Sequence, residues 1–144
     1  MKKKKIRNIA LIILGIIVIG GAATGYYLYT KTTPDVAGIT PEYTLTADEL
    51  TQAFNSDEQK ATQKYAGEVI EVSGQISEKT ANDTSMTYIL TGQKDPGAGV
   101  RCSLSPNALE QAKKYSVGDQ VKVKGKCTGK LFEVVLINCY LAND

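Results

Sequence analysis

The chain has 144 residues, with 17 Lys and Arg, 15 Asp and Glu and no His, for a formal charge of +2. Without His, a Ser–His–Asp triad, a Cys–His nucleophile pair and a His-based zinc site are excluded. Six of the seventeen basic residues (Lys2 to Lys5, Arg7 and Lys31) sit at the amino end and every acidic residue lies beyond them, so the remainder carries a net −4. As a whole it lacks the positive excess of proteins that bind nucleic acid mainly through phosphates.

From Ile9 to Tyr29 the chain carries no charge. At about 1.5 Å rise per residue this stretch matches the roughly 30 Å hydrocarbon core of a bilayer, and it predicts a single membrane-spanning helix that includes Ile9, Leu14, Gly21, Gly25 and Tyr29. The Lys and Arg excess before it keeps the amino end in the cytoplasm and exports everything after Lys31. A cleavable signal peptide is the competing reading, with Gly20 to Gly25 supplying small residues near a cut site. Tyr26, Tyr27 and Tyr29 continue past those residues like an interfacial aromatic belt and favour a retained anchor. Gly21 and Gly25 have the spacing that lets two membrane helices approach closely, which admits a homodimer; small residues near a membrane surface are the plainer explanation. The expected organisation is a basic tip and anchor over 1–31, a linker over 32–44 and one domain over 45–144.

Thr46 and Glu49 have capping-box spacing, and Leu45 with Leu50 that of a hydrophobic staple, so a helix starts at Thr46. Its apolar stripe runs through Leu50, Ala53, Phe54, Ala61 and Tyr65, with Asn55 and Ser56 able to divide it and Gly67 ending it. Ile70, Val72, Gly74 and Ile76 alternate with polar residues as a half-buried strand. Thr80 to Ser85 reads as a turn, in which Asn82-Asp83-Thr84 also matches a glycosylation sequon, and Met86 to Thr91 as the returning strand, with Tyr88 inward. Val100, Cys102 and Leu104 mark a third strand. Ser105-Pro106 opens a short helix to about Tyr115. Val121, Val123, Gly125 and Cys127 alternate with Lys122, Lys124 and Lys126; Thr128-Gly129-Lys130 turns the chain, and Phe132 to Leu141 returns as the last strand.

No phosphate loop, dinucleotide fingerprint or nucleophile elbow occurs, and no motif requires a cofactor or a metal. The carboxylate pairs Asp48 with Glu49 and Asp57 with Glu58 are the available acid–base candidates, and they read as solvated helix surface. The sequence therefore points to a protein without catalytic activity.

The order strand, strand, strand, helix, strand, strand is that of a mainly β, five-stranded OB-fold Greek-key barrel, here with an additional amino-terminal helix. Tyr65 to Gly74, Val100-Arg101-Cys102, Val121 to Gly129 with its Gly-Lys-Cys-Thr-Gly element, and Val134 to Cys139 resemble the tRNA_anti-like family of bacterial OB-fold domains over about Leu45 to Leu141. That resemblance implies an exported or membrane-linked domain, outside the cytoplasm of a bacterial cell. It also implies nucleic-acid binding, by extension from the wider fold. In such a barrel the ends of strands three and five lie together, which makes Cys102–Cys139 the candidate disulfide with Cys127 buried alone; three reduced thiols are the alternative.

Ligands of this fold use the outer face of strands two and three with the flanking loops. The candidate ligand residues are accordingly Arg101, Ser103, Lys126, Lys130 and Phe132, beside Thr87 and Ile89. Three function classes follow: an interaction module for a protein, peptide or glycan partner; a single-strand nucleic-acid binder using Arg101, Lys126 and Lys130; or a structural accessory domain dimerising through Gly21 and Gly25. The lysine row serves equally as a solvated outer face.

Overall fold

Most of the strand-like alternation in the sequence becomes strand. The computed structural model describes residues 2–30 and 36–142, leaving out the side chains of 2–5, 7, 10, 11 and 28–30. The chain divides into two compact units, Met1–Pro34 and Asp35–Asp144.

The described part of the first unit is one helix, α1 (Lys2–Thr30). Its described side chains stand in the open: Ile9, Leu14 and Ile19 are more than half exposed, and a methyl group added at Gly21 or Gly25 would meet no atom within 4 Å. Among the described residues no helix is long and apolar enough to cross a membrane. The expected span is therefore not shown; parts of it, including the Tyr29 side chain, lie outside the described residues.

The second unit contains β1 (Tyr43–Thr46), α2 (Ala47–Ser56), α3 (Glu58–Tyr65), β2 (Val69–Ala81), β3 (Met86–Thr91), β4 (Gly99–Leu104), α4 (Leu109–Ala112), β5 (Gln120–Lys130) and β6 (Val134–Leu141). The sheet order β1-β2-β3-β4-β6-β5 closes through β2–β5 pairing, so β2, β3, β4, β6 and β5 form a five-stranded barrel. This is the arrangement expected of an OB-fold. Ile70, Val72, Tyr88, Leu90, Val100, Val123 and Leu136 are completely buried inside it.

A helix plugs each end. At one end α2 inserts Leu50 and Phe54, both essentially fully buried. Its start is fixed by the expected capping box, with Thr46 N donating to Glu49 Oε2 at 2.8 Å and Glu49 N to Thr46 Oγ1 at 3.2 Å. The break at Ser56 is real, because Asp57 caps α3 through Lys60 N at 3.0 Å. At the other end, a 3-10 turn (Pro106–Ala108) and α4 close the barrel, and the Tyr88 hydroxyl donates to the Ala112 carbonyl from inside.

Three local expectations change. The folded unit begins earlier than residue 45. Val36 is buried at 1% exposure, Lys124 Nζ holds the carbonyls of Ala37 and Ile39 at 2.8 and 2.9 Å, and β1 pairs in parallel with β2. The β5–β6 turn falls at residues 131–133 rather than at Thr128–Lys130, since Gly129, with φ of +112°, makes a bulge inside the ladder. Finally, the Cys102–Cys139 disulfide is not shown: all three thiols are free and buried, although the Cys102 and Cys139 thiols are neighbours as expected. Asn138 takes φ of +51°, a bulge that leaves residues 137 and 138 both outward and turns Cys139 inward. Cys139 then pairs with Leu104 while Cys102 pairs with Leu136. Its sulfur lies over Gly125, 2.5 Å from where a Cβ there would sit.

Candidate functional site

The outer face of β3 and β4 is built by strand register. Thr87 stands opposite Ser103, and Ile89 stands opposite Arg101, which neighbours Val135 of β6. Lys126 of β5 faces Ile137. Because side chains alternate, all of these project outward from one surface, and Ile89, Val135 and Ile137 remain only half-buried. The result is a mixed apolar and polar face. At its far end the β2–β3 turn is tied by Asn82 Oδ1, which accepts from the backbone N–H groups of Thr84 and Ser85 at 3.1 and 2.8 Å; this is the expected turn.

Arg101 directs both Nε and Nη2 to Glu133 Oε2 at 2.8 Å. Its charge is thus matched by a carboxylate on the β5–β6 turn. Lys124 is spent on the two linker carbonyls, and Lys79 Nζ donates to the Tyr115 carbonyl at 2.7 Å. Of the lysine stripe read in the sequence, Lys124 is thus taken up by the linker and Lys130 by Asn55.

The structure also divides the expected ligand residues. Arg101, Ser103 and Lys126 stay on the sheet face. Lys130 and Phe132 instead lie at the rim of the α2 end, where Lys130 Nζ donates to Asn55 Oδ1 at 2.6 Å and Phe132 is 99% exposed. There a groove of about 360 Å³ runs between α2, the β3–β4 loop and the β5–β6 turn, lined by Thr51, Asn55, Asp95, Lys130, Phe132 and Glu133 among others. A second hollow of about 240 Å³ shares Thr51, Asn55 and Asp95 and adds Gln52 and Lys94.

Asp48 shapes this rim. Its carboxylate accepts from the backbone N–H of Gln93 at 3.0 Å, Lys94 at 3.2 Å and Asp95 at 3.4 Å. Gly92 makes the approach possible, for a Cβ there would lie 1.9 Å from Asp48 Cγ. Three of the four acidic residues considered for acid–base chemistry thus have structural work: Asp48 holds a loop, Glu49 completes the capping box and Asp57 caps α3.

The three thiols are buried. Burial pushes the Cys127 thiol up, and burial followed by the neighbouring Cys102 thiol pushes Cys139 well above its ordinary value. A protonated, buried thiol is a poor nucleophile.

Sequence reasoning missed Asn55, Thr51 and Asp95. Nothing local marks them; Asn55 and Lys130 are 75 residues apart, and only closure of the barrel brings them together.

A model of the tRNA_anti-like family matches residues 1–141. No curated protein matches the chain. Among solved structures, the fold is similar to a lipoprotein from Klebsiella pneumoniae to which nucleic-acid binding has been ascribed, at 15% identity and TM-score 0.60, covering 79% of this chain and all of that one. Asparaginyl-tRNA synthetase from Pyrococcus horikoshii is similar over 56% of this chain and 21% of its own, at 16% identity and TM-score 0.42.

Proposed function

Because the chain belongs to the tRNA_anti-like family, we propose that it is a non-enzymatic binding module, held by α1 at the outer surface of a bacterial cell membrane, whose sheet face docks a protein partner. The observation that carries this reading is the Arg101–Glu133 pair beside Ile89, Val135 and Ile137. A half-apolar surface whose arginine is matched by Glu133 favours a partner that contributes apolar side chains over one that contributes phosphates. Anchoring rests on the uncharged run from Ile9 to Tyr29 behind five basic residues, and on the exposure of its described isoleucines.

The second reading is single-strand nucleic-acid binding, supported by the family and by Lys130 at the end of β5 with Phe132 on the turn that follows, a cation near a stacking surface. It has less support from the geometry, since Arg101 is neutralised by Glu133.

A photoreactive amino acid at Ile137 of the full-length protein in cells separates the two. We expect one discrete protein adduct that Ile89→Glu abolishes. A nucleic-acid adduct at this position, or a protein adduct indifferent to Ile89→Glu, would contradict the reading.

A further inference from the structure

We propose that the groove at the rim of the α2 end is a second site, adjoining the sheet face at Glu133, and that it takes a neutral glycan chain. Its polar lining mixes the Asn55 amide and the Thr51 hydroxyl with charges of both signs, Asp95, Glu133 and Lys130. Asn55 offers an amide whose oxygen is fixed by Lys130, which directs its NH2 group as a donor. Asp95 uses one oxygen on Gly97 N at 3.1 Å, and Glu133 uses one on Arg101; each carboxylate keeps a second oxygen as acceptor. In the adjoining hollow Gln52 adds an amide. Pairs of planar donors and acceptors are what the vicinal hydroxyls of a sugar require, because each hydroxyl both gives and accepts a hydrogen bond.

Phe132 supplies the complementary surface. At 99% exposure its ring faces solvent at the mouth of the groove, and the C–H face of a pyranose can cover such a ring while its hydroxyl edge points to the polar wall. Charge argues the same way. A polyanion would meet Asp95 and Glu133, whereas a polycation would meet Lys130 and Lys94; a neutral chain meets neither penalty. Asp48, the remaining carboxylate of the hollow, is already saturated by three backbone N–H groups. The volume of about 360 Å³ falls within the ~300–1,000 Å³ of small-ligand sites, and the second hollow extends it along α2 as a chain would need.

The test is calorimetric titration of the full-length protein, in a zwitterionic detergent without a sugar headgroup, with chitotetraose, cellotetraose and maltotetraose, and with a ten-residue oligothymidylate. Saturable binding of at least one tetrasaccharide at millimolar concentration or below is expected. It should weaken about tenfold or more, roughly 1.4 kcal/mol, in both Phe132→Ala and Asn55→Ala, with thermal unfolding unchanged. Failure of all three sugars to bind, binding that both variants leave intact, or oligothymidylate binding that falls steeply with salt and is lost in Phe132→Ala would each overturn the site.

Discussion

The two ends of the barrel are closed by different physics. At the α2 end the plug is apolar bulk, Leu50 and Phe54 driven into the core from a helix with a strong cap. At the other end a helix of four residues contributes only small apolar groups, the buried Ala112 and the partly buried Leu109, and is held by polar contacts, Tyr88 to the Ala112 carbonyl and Lys79 to the Tyr115 carbonyl. Apolar burial is insensitive to direction, so the α2 end tolerates an open, polar rim around its plug, and the groove is there. A buried hydrogen bond demands alignment, and the α4 end is tight and specific instead.

The sharpest way to break this contrast is Phe54→Ala. Removing a fully buried aromatic should cost about 3–5 kcal/mol, read as a large fall in the denaturant midpoint with the slope unchanged. A loss below about 1 kcal/mol would mean that α2 is an accessory and not a plug.

Next in size is Asp48→Ala, which strips three backbone N–H groups of their shared acceptor. Hydrogen bonds to charged groups contribute about 1.5–3 kcal/mol, so we expect a drop of that order together with fast amide exchange confined to residues 92–95. Unchanged exchange in that loop would show that the rim does not depend on the carboxylate.

Tyr88→Phe probes the opposite end and should cost about 1 kcal/mol near neutral pH, leaving the Ala112 carbonyl without its partner. It also has a pH signature. Burial, with smaller contributions from Tyr115 and Asp119, pushes the Tyr88 hydroxyl from 10.0 up to about 12. The unfolded chain gives up this proton first, so the stabilisation is complete below pH 10 and is lost as pH rises from 10 to 12. Alkaline unfolding should therefore begin at higher pH in Tyr88→Phe. An identical alkaline profile in both proteins would place the sensitive group elsewhere.

The smallest effect is expected for Glu133→Gln, which frees Arg101 at a half-exposed site. Stability should change by less than about 1 kcal/mol, while affinity for polyanions rises. No change in polyanion affinity would mean that the Arg101–Glu133 pair does not set the charge preference of the face.

How far the sequence revealed all this depends on the range of the contacts. Alternation at Ile70, Val72 and Ile76, the inward parity of Tyr88 and the Thr46–Glu49 cap are local and were legible. β1 was not, because Tyr43 to Thr46 is too short to show a pattern and is strand only by pairing with residues 70–73 of β2. The final turn was misplaced because Gly129 suggests a turn, whereas the real one consists of Leu131, Phe132 and Glu133, none of them a turn-former. The expectation that Cys102 and Cys139 come together holds, but both thiols are free, and the Asn138 bulge that turns Cys139 inward is a one-residue shift that no spacing rule reveals. The sheet-face residues followed from the topology, but the groove joins Asn55, Asp95 and Lys130 from three distant segments.

The most direct test of a binding face that prefers protein to nucleic acid is a salt series with fluorescent single-stranded DNA and RNA and the full-length protein. We expect no micromolar binding at low salt, and no difference between the natural chain and a Lys126→Glu, Lys130→Glu double variant. Micromolar binding that falls steeply with salt and vanishes in the double variant would contradict the account and place this barrel among nucleic-acid binders.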